Sequence, residues 1–254
     1  MASHDPIALW LPLVGSTLFI VLLSTIPFPL FVLLPVLLAI VFVMHVQVFH
    51  TRSLAKAFWI STYLRRDSPI RAFLVTSSLL RWLAIAISVP LAVVTYIAVF
   101  GYDLWDCLAI SMAIYAARLA HSSVSAPLDA NLAEHLVELA HIRVYYWFAI
   151  LLVLTALAAA SIGKGFTSDY SSSTSDQLAT EVITTVKHPV RIVQHCSRTL
   201  RYSELQLLRV RDINGGLYGW LIYLFFLVPN ALPAFGLVTL YSGFERLLHQ
   251  RIRQ

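Results

Sequence analysis

The side chains that could carry chemistry in this chain are few, and their spacing decides what they could do. Glu138-Leu-Ala-His141 has the carboxylate-x-x-histidine spacing that puts both groups on one helix face, with Glu134 a turn earlier. Helical dimetal sites use that pair twice and add further carboxylates. No second copy stands in the sequence, so the motif reads as a coincidence on a surface helix. Five of the nine histidines (His45, His50, His121, His135, His141) fall in or beside two polar connections, where a membrane hydroxylase would need compact histidine boxes. His45 and His50 are five positions apart, which is about 140° around a helix, so they share no face.

Asp103 and Asp106 invite a different chemistry. Paired aspartates hold Mg2+ in membrane prenyl and phospho-alcohol transferases, where a second acidic cluster completes the site. None lies in the apolar stretches here. Both acids stand where a helix begins, and the positive end of its dipole accounts for them. Glycine-rich phosphate loops, a G-x-S-x-G elbow and Ser-His-Asp spacings are absent. Cys107 and Cys196 form no C-x-x-C pair. The expectation is no catalytic residue, no metal and no cofactor. Asp103, Asp106, Glu134, Glu138 and His141 are the groups that a metal site or a lipid-acting enzyme would have to use.

The elements that position these groups are apolar. The chain is 59% hydrophobic and 12% charged, against about 25% charged in a soluble domain. Near-chargeless stretches run over 7–26, 30–48, 82–102, 104–120, 144–162 and 217–241. A bilayer core admits such stretches only as helices that satisfy their own backbone. The expected fold is an all-α integral membrane protein, a polytopic bundle of about six transmembrane helices with short amphipathic interfacial helices. Met1 to Pro6 lacks the basic residues of a signal peptide, so the first stretch reads as a retained span. Pro27 and Pro29 predict a tight hairpin between the first two spans, with one broken helix or a re-entrant hairpin as rivals. The connections are 49–81 and 121–143. Within the second, Ser125 to Ile142 suits a short amphipathic helix capped by Ser125, with Leu128, Leu132, Leu136 and Leu139 as its apolar stripe.

Basic residues orient the bundle. The two connections, with Arg118 and Arg143 at the edges of the second, and the tail hold eleven arginines and lysines, and the short turns around Pro27 and Asp103 hold none. The positive-inside rule therefore puts both termini in the cytoplasm of a bacterial inner membrane and the polar segment 164–216 outside. That segment carries seven basic residues, which the rule discounts in long loops. This threading also brings Cys107 and Cys196 to one side, within conceivable reach of a disulfide that a bundle rarely needs.

The outward segment holds a serine-rich run, Ser171 to Ser175, and the break His188-Pro189. An amphipathic helix follows over about 190–210. Arg191, Arg198 and Arg209 fall in one narrow wedge, and Val193, Cys196, Leu200 and Leu207 lie opposite. Such a helix would meet lipid headgroups or a partner; the alternative is a helix packed over its own bundle with a solvated basic face. In the last span, Pro229, Asn230 and Pro233 predict a bend whose freed carbonyls could line a permeation path.

The function expected from this pattern is a non-enzymatic polytopic subunit of a larger inner-membrane assembly, docking partners through amphipathic helices. Its partners would be membrane lipids and other subunits or a second copy of the chain. The net charge of +5 is explained by the topology-setting arginines rather than by nucleic acid. A channel or permease subunit with a proline-bent sixth helix is the alternative, and a membrane-embedded lipid-acting enzyme the second. Charged residues lie only at span ends, which argues against ion-coupled transport.

Overall fold

In a computed structural model, residues 6–26, 28–63, 70, 78–100, 102–132, 134–167, 172–214 and 231–248 are described. Regular structure among them is entirely helical: α1 (Pro6–Thr25), α2 (Leu30–Tyr63), α3 (Leu79–Phe100), α4 (Leu104–Asn131), α5 (Glu134–Thr167), α6 (Ser175–Thr185), α7 (Arg191–Asn214) and α8 (231–248). Within these, Phe31–Tyr63, Leu79–Phe100, Leu104–Asn131 and Leu136–Ala160 are long and apolar enough to cross a membrane. The apolar part of α1 over Val14–Thr25 is shorter. Most of the expected last stretch, 217–230, lies outside the described residues, with Gly215 and Gly216.

Helix ends depart from the hydropathy boundaries in a consistent way. α2 continues past residue 48 to Tyr63, α4 past residue 120 to Asn131, and α5 starts at Glu134, ahead of residue 144. Hydropathy marks where the surrounding solvent changes, whereas a helix ends where its backbone bonds stop. The expected amphipathic helix over Ser125 to Ile142 is thus replaced by a helical hairpin. Ser125 caps no helix; its hydroxyl donates to the Ser122 carbonyl inside α4 at 2.8 Å. Between α1 and α2 the chain turns as the prolines suggest. α1 closes with Ile26 N–H on the Leu22 carbonyl, and the Pro29 carbonyl accepts the first bonds of α2, from Val32 and Leu33.

α8 lies at the centre. Its residues 233 to 243 are buried almost without interruption, and α1 to α5 surround it. Two glycines allow the close approach. A Cβ on Gly243 would strike the Val43 carbonyl of α2, and one on Gly236 would strike the Thr95 hydroxyl of α3. Rings fill the wider gaps: Phe19 meets Phe244 at 5.3 Å and Tyr146 meets Phe235 at 5.6 Å between centroids.

The interior is mainly apolar with a minority of polar side chains, and the surface carries many large apolar ones, unlike that of a water-soluble bundle. Ser16, Gln47, Ser88, Thr95, Ser111, Thr239 and Ser242 are buried, while Leu18, Phe31, Leu38, Phe42, Met112 and Leu151 are exposed. Trp82, Trp105 and Trp147 are 69%, 73% and 74% exposed, in the manner of the aromatic residues that flank a bilayer.

α6 has no counterpart in the sequence expectation. Thr174 and Gln177 form a capping box at its start, which orders the end of the serine-rich run. α6 and α7 make a hairpin with its own core of Leu178, Val182, Val186, Leu205 and Leu208, packed against Phe100 and Ala158. His188, between them, shares a hydrogen bond with the Tyr96 hydroxyl at 3.0 Å, and Ser197 donates to the Ile97 carbonyl at 3.1 Å. These bonds dock the hairpin on the C-terminal end of α3.

Candidate functional site

The site begins as a stripe on α4. Asp103, Cys107, Ser111, Arg118 and His121 fall within a wedge of roughly 80° at helical spacing. The opposite side carries Trp105, Leu108, Met112 and Leu119, all exposed. Because the apolar side faces outward, the polar stripe is driven against α1 and α8. Thr17 of α1 donates to Ser111 Oγ at 3.0 Å, and the Tyr241 hydroxyl of α8 lies 2.7 Å from Ser111 Oγ and 3.2 Å from Thr17 Oγ1. One turn away, Cys107 Sγ donates to Ser24 Oγ at 3.5 Å. No disulfide joins Cys107 to Cys196.

This hydroxyl seam leads at one end into a pocket of about 590 Å3 between α2, α4, α5 and α8. Arg118 pairs with Glu245 there, and Arg246 Nε donates to Gln47 Oε1 at 3.1 Å. His121 and His141 line the same pocket. Nδ1 of His141 is 3.2 Å from Nε2 of His121, and its Nε2 is 2.7 Å from the Asp129 carboxylate. A second pocket, of about 360 Å3, sits at the opposite end beside the α6–α7 hairpin, lined by Ser24, Thr25, Asp103, Glu181, Lys187 and Arg201 among others.

The structure distributes the residues singled out by spacing as follows. Glu138 and His141 do not converge: Glu138 pairs with His50 at 3.0 Å, and His141 with Asp129. Among the described residues no group of three His, Cys, Asp or Glu side chains could hold a metal ion. The Glu134 side chain, Pro229 and Asn230 lie outside the described residues; Pro233 is buried in the first turn of α8. Asp103 and Asp106 serve their own helix. The Asp106 N–H donates to Asp103 Oδ1 at 2.9 Å and the Asp103 N–H to Asp106 Oδ2 at 3.1 Å, a reciprocal cap.

On α7 the buried face is Val193, Ser197, Leu205 and Leu208, turned by roughly 80° from the expected one. The reason is the ion pair Arg201–Glu204, 2.5 Å long with both partners largely covered, which hydropathy alone would place outside. Two of the three wedge arginines are committed to α6. Arg198 donates to the Val186 and Ile183 carbonyls at 2.9 and 3.0 Å, and Arg209 donates to Ser175 Oγ at 3.1 Å. Arg191 is exposed and Leu207 half-buried. Leu200 stays 44% exposed beside Ile192 at 74%, so an apolar stripe on α7 remains uncovered.

Arg118, His121, Asp129, Glu245 and Arg246 were not picked out by motif. The signal that could have found the first two was the polar stripe of α4, since its members recur every three or four residues through an otherwise apolar stretch. What the fold and site define is a class, an all-helical bundle with several helices fit to cross a membrane and a seam of hydroxyl groups in an apolar interior. No family model, no curated protein and no solved structure matches the chain.

Proposed function

We propose that this chain is a six-span protein of a bacterial inner membrane, with both termini on the cytoplasmic side, acting as a non-enzymatic subunit of a larger membrane assembly. The many large apolar side chains exposed along the helices support the membrane setting, because apolar surface on this scale demands a lipid or protein cover. The observation that carries the subunit role is the uncovered apolar stripe from Ile192 to Leu200 on α7, on a helix whose opposite face, Val193, Ser197, Leu205 and Leu208, is already buried. Purification in mild detergent tests it. A defined complex that dissociates on Leu200→Glu is expected, and a clean monomer without partner overturns the role.

A permease-type role is the second reading, and one observation favours it. The hydroxyl seam of Ser24, Cys107, Ser111, Thr17 and Tyr241 runs between α1, α4 and α8, with a polar pocket at each end of the bundle. Solute flux into liposomes that falls on Ser111→Val or Tyr241→Phe would support this reading, and flux indifferent to both would remove it.

A further inference from the structure

We propose that the 590 Å3 pocket between α2, α4, α5 and α8 is a phosphate-binding site, in which Arg246 holds the anion and Arg118 is the second cation. The inference rests on the membrane setting for lipid as a source of phosphate, and on neither the subunit role nor the permease role.

Arg246 is the central group. It is half-buried on α8, and its Nε donates at 3.1 Å to Oε1 of Gln47, a residue 4% exposed on α2. That bond orients the guanidinium and leaves its two terminal nitrogens as donors. The acids that act on Arg246 are paired elsewhere, Glu245 with Arg118 and Glu138 with His50. Among the described residues Arg246 has no carboxylate partner of its own. A covered cation without a counter-ion is costly, and an anion in the pocket would relieve that cost. The planar fork of a guanidinium matches two phosphate oxygens at once.

The rest of the lining suits an anion. It holds two arginines against one glutamate, with hydroxyl groups from Tyr145, Tyr146 and Ser242 and ring nitrogens from His121 and His141. Asp129 and Glu138 work against an anion from nearby, on His141 and His50. Their side chains are 58% and 59% accessible, whereas that of Arg118 is 29% accessible. Water and salt screen exposed carboxylates far more than covered guanidinium groups. The field inside the pocket therefore follows the arginines.

Depth supplies the phosphate. Gln47, Arg118, His121, Tyr145 and Arg246 all lie within about five positions of the end of an apolar stretch (30–48, 104–120, 144–162, 217–241). At about 1.5 Å per residue, five positions span about 8 Å. Headgroups occupy about 5–8 Å outside each face of the hydrocarbon core. Trp147, 74% exposed and next to Tyr146, marks the same level on α5. The volume is that of a small-molecule site, with room for a glycerophosphate headgroup as well as for free phosphate.

The test is a titration of the full-length protein in neutral-detergent micelles, read by nitrogen-15 histidine NMR at constant pH and ionic strength. One arm adds inorganic phosphate in place of chloride, and the other adds short-chain phosphatidylglycerol. Saturable shifts are expected at His121 and His141, with His188 and His195 of the α6–α7 hairpin unmoved. Arg246→Gln is expected to weaken binding at least tenfold, and Arg143→Gln, which removes an exposed arginine outside the pocket, to leave it unchanged. Tighter binding of the lipid identifies a headgroup as the ligand, and equal or tighter binding of inorganic phosphate identifies a soluble phosphorylated solute. Wild-type protein whose His121 and His141 show no saturable shift with either probe overturns the site, whether or not Arg246→Gln folds. Equal weakening by Arg143→Gln and Arg246→Gln also overturns it, because the attraction then belongs to the basic surface at large. A monomer without partner, which removes the subunit role, leaves either outcome as it stands.

Discussion

Partners decide what each charged side chain does here, and the partners are distant in sequence. Arg118 and Glu245 lie 127 positions apart, His50 and Glu138 88 apart, and His121 and His141 20 apart. Residue type was legible: the sequence indicates which histidines and acids gather beside the polar connections. Which ring meets which carboxylate depends on helix packing: the Glu138–His141 spacing, read as coincidence in the sequence, joins two residues that each bond elsewhere. Arg118 offers the sharpest check. Arg118→Ala leaves Glu245 about three-quarters covered with its partner gone, which is expected to cost about 1–3 kcal/mol. The double variant Arg118→Ala/Glu245→Ala removes the stranded charge and is expected to recover part of that loss. Thermal melts of the four proteins in one detergent measure the difference. A double variant no more stable than the single would show that the pair is held by solvent rather than by the fold.

At the scale of elements, composition located the apolar cores of the helices but not their ends, and it could not rank the helices by centrality. α8 is the innermost helix, and the clue was steric rather than hydropathic: Gly236 and Gly243 stand seven residues apart on the face toward α3 and α2. Gly243→Ala is expected to destabilise by about 1–3 kcal/mol because the Val43 backbone cannot yield, whereas Gly15→Ala, with open space around it, is expected to be neutral or slightly stabilising. Denaturant titration of both variants distinguishes them. The α6–α7 hairpin adds a pH dependence. Burial against Tyr96 and Phe100 holds the His188 imidazole below the usual histidine value, so the docked ring is neutral. An undocked ring regains a pKa of about 6.5 and binds a proton below it. Docking is therefore at full strength above about pH 6.5 and weakens as pH falls toward the lowered value of the docked ring. Amide hydrogen exchange over residues 175–214, corrected for intrinsic rates, is expected to rise between pH 7 and pH 5 relative to the α4–α5 hairpin, and to lose that trend in His188→Gln.

The whole molecule turns on whether its two polar ends face opposite solutions. Gln47, Arg118, His141 and Glu245 gather in one pocket, and Thr25, Asp103 and Lys187 in the other. That sorting is what alternating spans would produce, since each group comes from helix ends that the arginine count assigns to one side. The sequence offers this threading as an expectation, because loop charge and span length are properties of composition. The rotated α7 face was not legible, because it depends on side chains meeting across the hairpin, whereas the α6 cap is a local Thr174-x-x-Gln177 pattern that the sequence does carry. Leu200 is the useful reporter, because it is 44% exposed on α7. Cys196 on the same helix is half-buried, so a Cys196→Ala background removes the competing thiol there, and Cys107 is fully buried. Leu200→Cys in that background is expected to react with a membrane-impermeant maleimide applied to intact spheroplasts. Labelling that appears only after the membrane is opened would reverse the orientation, placing the histidine pocket on the outer side.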